Sequence, residues 1–192
     1  MNTATRVLGE LVPSSNPAFL AVLAVHVVAG LTAVVTGATT ALSRKGGARH
    51  VRFGRRYYWA IGVVFVTATA LAAMRWRQSA YLFVIGAAAF SAATIGYLHR
   101  RRHRPGHTGH IVGMGVSFVL LLTAFYVDNG PRLPLLEHLP VLVFWLAPSA
   151  IGAPLIARGV VRYRQSGAAG VLAHDDGEGH ALALGDPRRR PP

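Results

Sequence analysis

AFLAVLAVHVVAGLTAVVTGATTALS, residues Ala18 to Ser43, contains no aspartate, glutamate, lysine or arginine. A hydrocarbon layer about 30 Å thick takes about 20 residues of helix to cross, so this run is long enough to span one. It is apolar on every face rather than along one stripe, which marks a membrane helix and not the surface helix of a soluble bundle. Four further charge-free runs follow: Tyr57 to Met74, Gln78 to Leu98, Gly106 to Val127 and Leu139 to Ala157. The expectation is an all-α integral membrane bundle of five transmembrane helices, at about 18–43, 57–75, 79–99, 108–127 and 139–158.

Composition agrees. Charged residues make up 14% of the 192 residues and hydrophobic ones 52%, against a charged share of about 25% in soluble domains. Residues 1–17 form a short leader ahead of the first helix. That helix ends in Arg44-Lys45 and not at a small-residue cleavage site, so it is read as a retained span and not a signal peptide. From Gln165 to the C-terminus the chain turns rich in Gly, Ala, Asp and Arg, which reads as a disordered tail. Its HDDGEGH segment, with His174, Asp175, Asp176, Glu178 and His180, is solvated chain with nothing to preorganise a metal site.

Five spans put the termini on opposite sides. Of the 20 basic residues, sixteen fall on one side: six from Arg44 to Arg56, four from Arg100 to Arg104 and six from Arg158 onward. Arg6, Arg75, Arg77 and Arg132 fall on the other. Basic residues favour the cytoplasmic side, which predicts a multi-pass protein of the cytoplasmic membrane with its N-terminus outside and C-terminus inside. Arg44, Lys45, Arg49, Arg52, Arg55 and Arg56 are thus topology residues that also meet anionic lipid at the inner face. They explain the sequence pI near 11.6 without nucleic-acid binding. Tyr57, Tyr58, Trp59, Trp76, Tyr81, Tyr97, Tyr126 and Tyr163 stand at span ends, as an aromatic belt does.

Lipid gives helices little hydrophobic reason to associate, so small residues must let them approach. Ala33, Gly37 and Ala41, then Ala88, Ala92 and Gly96, then Gly109, Gly113 and Ser117 recur at four-residue spacing and predict contacts among helices one, three and four. Pro148 and Pro154 predict a bent fifth helix.

What remains for chemistry is histidine. The chain has no cysteine, which excludes disulfides, thiolate catalysis and cysteine-held clusters. No carboxylate lies inside a span, which disfavours a carboxylate-driven pump and paired-aspartate hydrolysis; no HExxH is present. His26 is the one titratable group well inside a span. His50, His99, His103, His107 and His110 gather at the inner helix ends, where neutral imidazoles from different helices could hold a haem b or a transition metal ion. His26, His50, His99 and His110 are the cofactor candidates, with His103 and His107 as weaker metal candidates. His26 and the inner group differ in depth, and His138 beside Glu137 is nearer the outer headgroups, so His26 has no matching partner; a haem could instead use His50 or His99 with His110 near the inner surface, leaving His26 to another site or to structure.

His50, Gly54, Arg55 and Tyr57, standing as HVRFGRRY ahead of the second span, resemble the H-x-x-x-G-R-x-Y motif of a family of bacterial predicted membrane proteins of unknown function. The likeness extends from about Ala18 to Arg164, and His26 and His110 look like that family's helix histidines; Val51 stands where the motif often has a basic residue. The resemblance implies a small polytopic bundle and no particular activity. Two functions follow from the residues: a redox-linked protein holding haem or metal through helix-end histidines, or a cofactor-free transport, accessory or assembly subunit with structural histidines. Either could act as a homo-oligomer or beside a membrane-protein partner.

Overall fold

The computed structural model describes residues 5–7, 10–12, 17–74, 76–101 and 108–183. A short antiparallel hairpin of β1 (Thr5–Val7) and β2 (Glu10–Val12) pairs Arg6 with Leu11. The rest is helical: α1 Pro17–Leu42, α2 Ala48–Met74, α3 Trp76–Arg101, α4 Thr108–Asn129 and α5 Val141–Ala183, with a single 3-10 turn at Gly130–Arg132. Five segments of these helices are long and apolar enough to cross a membrane: Pro17–Leu42, Ala48–Met74, Ser79–Arg101, Thr108–Arg132 and Val141–Gln165.

Two helix boundaries differ from expectation. α2 starts at Ala48, not at 57, and α5 continues past 158 to Ala183, so residues 165–183 are helix where a disordered tail was expected. Absence of charge marks what lipid will accept, whereas arginine extends a helix readily beyond that point, as at 48–56; residues 165–183, with four glycines and no arginine, continue α5 against their propensity. α5 also stays helical through Pro148 and Pro154.

Each helix packs on the next, and α4 also returns to α1. Helices α1 to α4 therefore close a ring, and α5 lies against α4. The interior holds Ala29 and Ala33 of α1, Tyr57, Ile61 and Val64 of α2, Ala89 and Ala93 of α3, and Leu121 of α4. Val28, Leu31 and Val35 of α1 are exposed, which suits a surface that faces acyl chains.

The small residues act as expected at one crossing. A Cβ added to Gly113 would come within 2.8 Å of the Ala92 carbonyl oxygen and the Gly96 backbone; one added to Gly96 would lie 2.9 Å from the Met114 nitrogen. α3 and α4 thus touch backbone to backbone. Elsewhere the stripes need correction, since Ala41 and Ala88 are exposed. α1 buries Ala29, Ala33, Thr36 and Gly37 instead, because its buried face follows the helical period rather than strict four-residue steps. The α2–α3 seam is aromatic: Tyr58 stacks on Tyr97 with centroids 4.2 Å apart, and Phe65 stacks on Phe90 at 5.3 Å.

The ring is built from two similar hairpins. α4 begins 60 residues after α2, at 108 against 48, and α3 begins 59 after α1, at 76 against 17. Exchanging the hairpins maps the α2–α3 contact onto the α4–α1 contact. The short turn joining α1 to α2 is made possible by Gly46, whose φ of 79° lies in the left-handed region.

Candidate functional site

His50 and His110 occupy equivalent places, each the third residue of the second helix in its hairpin. His50 Nδ1 lies 3.0 Å from the Thr40 carbonyl oxygen on α1, and His110 Nδ1 lies 3.0 Å from the Gly96 carbonyl oxygen on α3. A carbonyl oxygen can only accept, so both Nδ1 atoms carry the proton. In the neutral ring that leaves the lone pair on Nε2, the tautomer of a histidine fixed for ligation by a bond behind it. The two rings meet across the interior with centroids 6.3 Å apart and planes at 74°.

Two turns deeper the same helices meet again. The Tyr57 hydroxyl and Ser117 Oγ form a 2.8 Å hydrogen bond in the buried interior, and Phe118 sets its ring edge-on to Tyr57 at 6.1 Å. Gly37 makes the room, because a Cβ there would come within 2.6 Å of Phe118 and 3.0 Å of Tyr57. His50 to Tyr57 and His110 to Ser117 are both steps of seven, which keep one face of a helix turned to one partner. Gly54 lies on this same face and takes α2 against α1, where its added Cβ would meet Thr40 Cγ2 at 3.5 Å. Three of the four motif residues, His50, Gly54 and Tyr57, thus have interior tasks; Arg55 is exposed.

The other histidines separate from this pair. His26 Nδ1 lies 2.9 Å from Thr67 Oγ1. That hydroxyl donates its own proton to the Val63 carbonyl, so the imidazole is the donor in a bond between α1 and α2. Thr40, level with His50, is 14 residues along α1 from His26, roughly 21 Å of helical rise. His99 is placed at the right end of the bundle: its ring packs over Gly109, whose added Cβ would sit 2.8 Å from His99 Nδ1. His103 and His107 lie outside the described residues. Among the described residues no group of three or more histidine, cysteine, aspartate or glutamate side chains could hold a metal ion. His138 pairs with Glu137 at 3.4 Å on the exposed surface.

The surroundings of the pair are basic. Lys45 and Arg100 are near enough to His50 to act on it electrostatically; Lys45 Nζ also donates to the Ala41 carbonyl at the end of α1, at 3.2 Å. Arg44, Arg49, Arg52, Arg55 and Arg56 are exposed around the same end.

Of the two pairings expected for an inner-face haem, His50 or His99 with His110, the rings that meet are those of His50 and His110; the hydrogen bond of Ser117 to Tyr57 was not foreseen. The signal available was the common separation of 60 residues. Comparison of the chain with protein-family models, with curated proteins and with solved structures finds no match.

Proposed function

We propose that this multi-pass bundle holds a haem b between His50 and His110 for a redox-linked role in the cytoplasmic membrane. The observation that carries the proposal is the His50–His110 pair itself. Imidazoles on opposite sides of one metal ion, with metal–nitrogen bonds of about 2.0 Å, set their ring centroids roughly 6 Å apart, and these stand at 6.3 Å. Each ring is backed by a carbonyl that fixes its tautomer. His50 and His110 would hold a haem iron through their Nε2 atoms, and the haem would supply one-electron redox chemistry; a zinc ion would call for protein ligands beyond these two. The basic collar suits the carboxylates that a haem carries. A bound metal ion in place of haem would use the same two nitrogens.

The second reading is a cofactor-free transport or assembly subunit. It is favoured by the fact that both Nδ1 bonds also clamp neighbouring helices, as the His26–Thr67 bond does. Protein purified in mild detergent from cells supplied with haem, iron, copper and zinc separates the two. The haem reading expects a Soret band that shifts on reduction, with about one iron per chain; a colourless, metal-free sample supports the second reading.

Orientation belongs to the same proposal, with the sixteen-residue basic side inside. A reporter fused after Pro192 should be active only in the cytoplasm. Activity on the outer side would invert the arrangement and place the histidine pair outside.

A further inference from the structure

Arg55 is the motif residue without an interior task, and it stands at one end of a groove. The groove has a volume of about 680 Å³ and runs between α1 and α2. Val25, Val28 and Thr32 form one wall; Arg55, Arg56 and Trp59 belong to the other. From Arg55 to Val63 the α2 wall is about 12 Å long by helical rise. No carboxylate lines it.

We infer that this groove seats an anionic phospholipid, with its phosphate at Arg55 and Arg56 and an acyl chain along Val25, Val28 and Thr32. The arrangement matches an amphiphile of that charge. Arg55 and Arg56 border the groove at one end only, both exposed, and guanidinium is the side chain best suited to phosphate oxygens. Beyond them the lining is apolar, which a free phosphate ion has no use for and an acyl chain does. Trp59 lies one turn from the arginines and is exposed, as an indole at the level of the headgroups should be. The Arg56 guanidinium lies over the Phe53 ring, 5.4 Å from its centroid, which steadies the cation by its attraction to the ring face. A zwitterionic lipid carries its own cation beside the phosphate and gains less from this end.

The test uses Trp59 as a reporter. In a W76F/W145F background, where Trp59 is the remaining tryptophan, fluorescence is measured in bilayers doped with lipid brominated on its acyl chains. Brominated phosphatidylglycerol should quench Trp59 at least threefold more than brominated phosphatidylcholine at equal mole fraction. R55Q/R56Q should bring that ratio near one, and R55K/R56K should restore part of it. Equal quenching by the two lipids would overturn the inference, and is the result expected if a second copy of the chain fills the groove instead. So would an unchanged preference in R55Q/R56Q. Because Trp76 and Trp145 pack on Phe83 and Tyr81, native mass spectrometry of the unaltered chain in a one-to-one mixture of the two lipids supplies an independent reading. It should retain phosphatidylglycerol at least threefold over phosphatidylcholine, and equal retention counts against the site.

Discussion

Replacing Gly113 by leucine should leave little folded protein. The new Cβ alone would fall 2.8 Å from the Ala92 carbonyl oxygen and from the Gly96 Cα and nitrogen. These are backbone atoms of a helix that is itself packed on α2, so they cannot swing aside as a side chain would. Overpacking that side chains can absorb costs about 1–3 kcal/mol; here the whole α3–α4 crossing must open, and we expect at least about 3 kcal/mol, out of a total that is about 5–15 kcal/mol for ordinary domains. α4 also packs on α1 and α5 and meets α2 through Tyr57–Ser117 and His50–His110, so its displacement is felt by every helix of the bundle. Gly30 is the control, because a Cβ there meets nothing within 4 Å. Monodisperse yield and thermal midpoint in detergent should collapse for G113L and stay near the starting values for G30A. Similar midpoints for the two would show that the crossing is looser than described.

Removing either member of the histidine pair should strip the proposed haem. If His50 and His110 are the axial ligands of one haem iron, H50A and H110A should each lower iron and haem per purified chain at least tenfold. H50A/H110A should lose little more than either alone, since one iron cannot be held by half its axial pair and effects within a coupled unit do not add. H26A should retain haem at the original level, because His26 is committed to Thr67, and such a bond between membrane helices contributes about 0.6 kcal/mol. Pyridine haemochrome spectra with iron analysis measure all four variants, and circular dichroism confirms that the helices remain. Full haem retention in H110A would dismiss the pair as the site.

The five helices long and apolar enough to cross a membrane could be read from the chain because lipid imposes a simple condition: a crossing backbone must satisfy its own hydrogen bonds, and its side chains must be apolar for about 20 residues. The helix ends were harder. ARHVRFGRR looked like a loop because it is charged, yet it is the first turns of α2, with its arginines outward and His50 and Gly54 inward. The candidate residues were visible by type, since histidine was all that the composition left. Their pairing was legible only as a choice, His50 or His99 with His110. Periodicity tells which face of a helix a residue occupies, but not which other helix that face meets. His50 and Tyr57 reach diagonally across the ring to α4, passing over the neighbours that sequence order suggests. Small-residue spacing likewise found the Gly96–Gly113 contact but misplaced Ala41 and Ala88.

The two hairpins carry a last consequence. A single hairpin of this kind, with one histidine near the start of its second helix, would own half a site, and two identical copies facing each other would complete it by symmetry. Such a dimer would be obliged to present the same side chains from both halves. Within one chain that obligation lapses: Tyr57 faces Ser117 where a symmetric assembly would set like against like, and only one half bears the arginines of the lipid-facing groove. The two sides of the His50–His110 pair are therefore unequal, and a haem held there as proposed would have a different neighbourhood on each face.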